Sequence, residues 1–266
     1  MNSTCSLEHR QFLRNIRRRK RLVVLCQISL LAAFFAAWEG AVRLGWLEAF
    51  IFSSPTRMWN MLNTMASSGE LFHHIFTTSW QVVAGFVIGS FLGIAISIAL
   101  WWNDFLHRVL SPYLVVFNSL PKTALAPIII VWLGNNPRAV VVTALLISVV
   151  VTVLNVLAGF MQVDEDKIKL AESFGAKKRQ ILAKVVFPAS IPDILNALKI
   201  NIGLTFVGVI VGEFLVAQAG LGFLIIYGSQ IFRMDMVMLS ILILCALAAV
   251  FYGLVVALEK MYRNQF

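Results

Sequence analysis

Charge is scarce in this sequence. Asp, Glu, Lys and Arg make up 13% of its 266 residues, about half the share of an ordinary soluble domain. With 59% hydrophobic residues, the chain is expected to be one integral-membrane domain with no separate soluble part. Cysteine is sparse as well. Cys5, Cys26 and Cys245 lie far apart, without zinc-type spacing and without a placement for an external disulfide. No Gly-x-x-x-x-Gly-Lys-Ser/Thr stretch occurs, so the chain does not cradle nucleotide phosphates by that route. Paired carboxylates and histidines at membrane depth are missing, which argues against a membrane-embedded enzyme. His73 and His74 are adjacent and diverge by about 100° on a helix. With Glu70 near them a metal site is conceivable, but a loop entering a span accounts for them better, and no metal or catalytic residue is expected.

What the sequence does contain is long apolar runs. A helix needs about 20 apolar residues to cross the hydrocarbon core, and six segments qualify: 22–42, 75–101, 109–133, 139–160, 194–217 and 236–258. The expected fold is all-α and polytopic, with a basic leader over 1–21, a six-span domain over 22–266 and a polar loop over 161–193. The first run is too long for a signal core. It is followed by Arg43 and Trp46 rather than a small-residue cleavage site, so it reads as an uncleaved span. The net charge of +9 clusters beside the spans, which marks topology rather than a nucleic-acid face. With the N-terminus inside, sixteen Lys and Arg fall in cytoplasmic segments and four (Arg43, Arg57, Arg138, Arg233) outside. The positive-inside rule then places both termini and the 161–193 loop in the cytoplasm of a plasma-membrane protein.

That loop is the longest polar stretch between spans. Asp164 is placed to cap a helix, with Glu165 and Asp166 in its first turn. Ile168, Ala171 and Phe174 recur on one side. Gly175 sits where a helix ends in a left-handed residue. A second helix from about Ala176 carries Ile181, Leu182, Val185 and Val186 on one face, and Pro188 and Pro192 stop it and start the next span. Such an amphipathic pair at a membrane surface is either a lipid-facing surface helix or a docking surface for a soluble partner.

Glycine marks packing. Gly85, Gly89 and Gly93 recur at every fourth position, and Gly208 and Gly212 repeat the device. Small residues let membrane helices approach closely, either within one subunit or across a dimer. The third span is irregular, with Pro121 and Pro127 around Lys122. Broken backbone and a lysine at depth belong against protein or a watery cavity. Asn118, Ser119, Pro121 and Lys122 therefore line a translocation path, or else Lys122 caps carbonyls freed by the kink. Glu213 is either an outer gate contact or a carboxylate reached by water near the surface. Lys199, Glu39 and Glu259 read as near-interface residues. The run from Gly220 to Tyr227 is too apolar for a free loop and too short to span, so a re-entrant or surface-lying helix is expected. Met58 to Met65 has helical spacing behind Ser53-Ser54-Pro55.

The pattern Ala171, Gly175, then Val185-Val186-Phe187-Pro188 resembles the EAA loop of binding-protein-dependent ABC importer permeases. The segment Pro121-x-x-Ala124-x-x-Pro127 with Trp132-Leu133-Gly134 is similar to theirs too. Lys169 stands where that family has Glu. The resemblance runs over nearly the whole chain and looks closest to the sulfonate, taurine and nitrate subgroup. It implies a type I importer permease fold, with Lys169, Leu170, Ala171, Glu172, Ser173, Phe174, Gly175 and Ala176 as the surface that couples to the ATPase. It further implies two ABC ATPase subunits carrying ATP and Mg, an external substrate-binding protein, and a second permease copy. No cofactor is expected on this chain itself, and the implied solute is a small anion delivered from outside. The alternatives are a vitamin-precursor importer permease or an ion-coupled secondary transporter, the latter having only Lys122 as a charged mid-membrane group.

Overall fold

The computed structural model describes residues 7–216 and 218–263, all helical between short turns. In chain order the helices are α1 (Leu7–Arg43), α2 (Ala49–Phe52), α3 (Pro55–Ser67), α4 (Glu70–Trp102), α5 (Asp104–Ser119), α6 (Lys122–Leu133), α7 (Pro137–Met161), α8 (Glu165–Ser173), α9 (Lys178–Ile181), α10 (Phe187–Ala189), α11 (Ile191–Val216), α12 (Leu221–Gln230) and α13 (Met234–Arg263). Cys5 and Ala217 lie outside the described residues. Among the described residues five helices are long and apolar enough to cross a membrane, or six if the bent pair α5–α6 counts as one span. The expected third span over 109–133 falls on this pair, which breaks at Pro121. Leu120 takes an extended conformation (ψ 141°) before Pro121, as the proline ring demands of its predecessor, and the pair meets at 95°. From residue 7 onward α1 runs from the basic leader into the first apolar segment without a break.

The core is α4, α7 and α11, and the glycines explain why. A Cβ on Gly85 would lie 3.0 Å from Thr205, one on Gly93 2.5 Å from Thr152, and one on Gly212 2.9 Å from the Cα of Val140. A Cβ on Gly208 would collide with the backbone of Ala144. The stripe thus packs these three helices inside one chain, which resolves the alternative left open by the spacing. Polar side chains join the same seam: Asn201 Nδ2 donates to Ser90 Oγ at 2.8 Å, and Ser97 Oγ to the Val153 carbonyl at 3.1 Å. Lys199 pairs with Glu259 at 3.1 Å, tying α11 to α13 instead of reaching for headgroups.

α3 and α12 close one end of the bundle against α13. Ser54 caps α3 with Pro55 at its first position; Met58, Met61 and Met65 are buried, the last two in a cluster with Leu221, Leu224 and Leu239. The short apolar helix expected after Gly220 is α12, packed on α13, α11 and α4. Arg57 bonds Asp235 at 3.1 Å. Glu39 is bound to Arg43 and to Thr56, so it too is a structural contact. The apolar part of α1 buries nothing and touches the bundle through α3.

Candidate functional site

The end opposite α3 and α12 carries the helix pair singled out by the sequence. Asp164 caps α8, accepting from the Asp166 N–H at 2.9 Å. Lys169 bonds Glu165 one turn back at 3.2 Å, an exposed pair of small energetic weight. The helix ends in a Schellman turn: the Ala176 N–H reaches the Ala171 carbonyl at 3.1 Å and the Gly175 N–H the Glu172 carbonyl at 2.8 Å. Gly175 has φ +77°, the left-handed value such a turn needs. Lys177 N–H then donates to Gln180 Oε1 at 2.8 Å, opening α9 at Lys178 rather than at Ala176.

One face of this hinge is fixed to the bundle. Ile168, Ala171 and Ala176 pack with Ile181, Leu182, Val185 and Val186 against Val156, Phe160 and Ile194. Phe174 does not join them. It caps α8 at φ −84° and ψ 8°, is turned off the apolar stripe and stands 82% exposed, with Leu170 58% exposed beside it. The expected three-residue stripe is thus corrected to Ile168 and Ala171, and Leu170 and Phe174 form an outward apolar knob. Beneath it lies a shallow cavity of about 340 Å³ lined by Ala171, Phe174, Gly175, Ile181 and Lys184. Glu172 and Ser173 are exposed on the same rim.

From α9 the chain continues through one wide turn over Leu182–Val186, where the Phe187 N–H bonds the Leu182 carbonyl five residues back. Wide turns of this kind recur at functional sites, and here one precedes Pro188, which has no N–H to give. The hinge is anchored beyond it by Ser190 Oγ on the Gly159 carbonyl at 3.1 Å. A contact that the sequence did not reveal is Lys178, whose Nζ donates to the Trp102 carbonyl at 2.6 Å. Its partner lies 76 residues away, and no spacing rule reaches that far.

The second candidate group sits at the break between α5 and α6. Lys122 Nζ donates to the Asn118 carbonyl at 3.1 Å and to Asn118 Oδ1 at 3.3 Å, so within one chain it holds the kink together. Ser119 returns its hydroxyl to Val115, and Pro121 precedes α6. The surrounding face is open and apolar: Tyr113, Val116, Phe117, Val131 and Trp132 are all exposed.

Glu213 belongs to neither group. It is 1% exposed, which corrects the reading of a water-reached carboxylate. Thr78 Oγ1 donates to its Oε1 at 2.7 Å and the Gly222 N–H to its Oε2 at 2.6 Å. Thr78 also accepts from the Leu221 N–H at 2.8 Å, and His74 Nδ1 from the Gly220 N–H at 3.0 Å. In this arrangement Glu213 clamps the first turn of α12, and His74 holds the Gly220 N–H just ahead of it. Glu213→Ala would leave buried donors unpaired, at about 1–3 kcal/mol each. The expected outcome is faster hydrogen exchange across α12 with α4, α7 and α11 unchanged, read by mass spectrometry in detergent.

With this geometry in place, comparison with known proteins is informative. A putative aliphatic sulfonates transport permease protein, SsuC of Escherichia coli strain K12, is 25% identical over 225 residues, covering 85% of this chain and 86% of its own. The riboflavin transport system permease protein RibX of Chloroflexus aurantiacus is 28% identical and covers 84% of each. Among solved structures, an amino acid ABC transporter chain superposes over 77% of this chain and 98% of its own with a TM-score of 0.60, at 20% identity; this likeness concerns the fold. The family profile for the binding-protein-dependent transport system inner membrane component matches residues 85–264, from the first packing glycine to the end of α13. The chain belongs to that family, the membrane-embedded permease components of ABC importers.

Proposed function

We propose that two copies of this chain form the pathway of an importer for small organic sulfonates, powered by separate ATPase subunits that seat on the hinge and supplied by an external binding protein. The observation that carries this reading is the knob of Leu170 and Phe174. It is exposed and apolar, yet borne on a helix pair whose other face is held by the bundle. Exposed aromatics on a rigid support are what a docking partner uses as anchors. ATP and Mg belong to the ATPase subunits in this scheme, and the chain contributes the surface 169–176 and the path.

The bent pair supports the dimer. α5 has no buried residue of its own, and the apolar face around Asn118, Ser119 and Lys122 needs a cover. A second copy related by a two-fold axis would place both kinks on one central path. Closure of the ATPases would move the two hinges together, open the path outward for a loaded binding protein and return it inward after hydrolysis. Lys122 would meet an anion there. The charge bias in the sequence supports a cytoplasmic hinge and cytoplasmic termini.

The sulfonate assignment draws on the SsuC relative, and the RibX relative supports a second substrate class. Reconstitution of the chain with its ATPase and binding protein in vesicles separates them. ATP-dependent uptake of ethanesulfonate or taurine, with none of riboflavin, is the expected result. Uptake of riboflavin alone would replace the substrate, and uptake driven by an ion gradient without ATP would overturn the importer scheme.

A further inference from the structure

The hinge is joined to the bundle by apolar packing, by Ser190 on the Gly159 carbonyl and by a shorter polar contact whose position has a mechanical consequence. α4 ends at Trp102, and the last carbonyls of a helix have no partner within it. Lys178 Nζ donates to the Trp102 carbonyl at 2.6 Å. It also lies 5.6 Å from the Trp101 ring centroid and 5.9 Å from that of Trp102. A cation is held there three ways: by the carbonyl, by the faces of two indoles and by the negative end of a helix dipole.

The two ends of this contact sit at sensitive points. Lys178 is the first residue of α9, just beyond the Gly175 turn. Trp102 is separated from α5 by Asn103 alone, whose Oδ1 accepts from the Leu106 N–H at 3.2 Å, so the corner is short and capped. α5 then runs to the Leu120–Pro121 break and Lys122. Its own hold on the bundle is light: it buries no residue and leans through Leu106 and Leu114 on Leu100, Val153 and Leu157. A displacement at the corner therefore meets little resistance from α5.

We infer that Lys178 is the positioning residue through which movement of the α8–α9 hinge is passed to α5 and thence to the bent pair. This rests on the reading that ATPase subunits move the hinge. Lys178 touches no solute; it acts through the α4–α5 corner.

The test uses the assembled complex of permease, ATPase and binding protein, with Cys5, Cys26 and Cys245 replaced by serine. Spin labels at Lys167, which is exposed on α8 outside the 169–176 surface, and Tyr252 report the hinge, and labels at Val109 and Tyr252 report α5. Distances are measured before and after trapping with ATP and vanadate. In K178Q the hinge distance is expected to shift as in the parent and ATP hydrolysis to continue, while the α5 shift is lost. In K178R, which keeps the charge, the α5 shift returns. An unchanged α5 shift in K178Q overturns the inference, and so does a K178R variant that fails to restore it. Joint loss of hinge shift, ATP hydrolysis and α5 shift in K178Q overturns it as well, since Lys178 would then simply hold the fold. A parent complex whose hinge does not shift on trapping refutes the ATPase-driven reading itself, a distinguishable failure that takes the strut with it.

Discussion

Gly208→Leu is expected to abolish the folded protein. A Cβ at this position runs into the Cα and N of Ala144, and these are backbone atoms that no rotamer change can move. In lipid the helices gain little from apolar contact as such, so close approach of small residues holds them together. Pushing α7 off α11 would also loosen Gly212 on Val140 and Gly85 on Thr205 and Ala144. Overpacking alone costs about 1–3 kcal/mol, and the lost contacts add to it against a total stability of about 5–15 kcal/mol. Monodisperse protein in detergent should disappear in size-exclusion chromatography. Gly203→Leu on the same helix, where a Cβ meets nothing within 4 Å, should leave the elution profile unchanged.

The second large effect acts on transport rather than on folding. At Gly175 a Cβ also meets nothing within 4 Å, so a substitution there is opposed by backbone conformation alone. At φ +77° a β-branched residue is a genuine outlier, with a cost of about 1–3 kcal/mol. The turn would open and re-aim α8, and with it Leu170 and Phe174, while the core seam of α4, α7 and α11 stays intact. Gly175→Val should therefore keep its normal amount in the membrane and lose about tenfold or more of its ATP-driven uptake, since 1.4 kcal/mol is a factor of ten. Gly175→Asn, a residue that tolerates the left-handed region, should retain most of it. Equal uptake by all three proteins would mean that the turn does not transmit force.

How far the sequence revealed these features depended on how local their causes are. Asp164 and Gly175 act on the backbone beside them, and the structure places a cap and a left-handed turn where they stand; Pro188, expected to stop the helix, lies within α10 behind a wide turn. The side chain of Phe174 departed from its stripe because the same turn that Gly175 requires swings the capping residue outward, a coupling that periodicity ignores. Pro121 announced a break but not its angle, since whether two half-helices continue or fold back depends on what packs beside them. That Glu213 falls in the last turn of its span followed from counting residues. Its partners did not: Thr78 lies 135 residues earlier in the chain, and nothing in the span indicates that a turn of α12 needs an acceptor. The glycine stripe was legible as a packing face, while the identity of α7 as its common partner came from the fold.

The central claim is that force from a separate nucleotide-hydrolysing subunit enters this bundle at the hinge. The most direct measurement places a photo-crosslinking amino acid at Phe174, in cells that also produce the ATPase and binding protein. The account predicts one adduct, between this chain and the ATPase subunit, formed from the cytoplasmic side. Adducts with lipid alone, or labelling of residue 174 by a reagent confined to the outside of the cell, would contradict it.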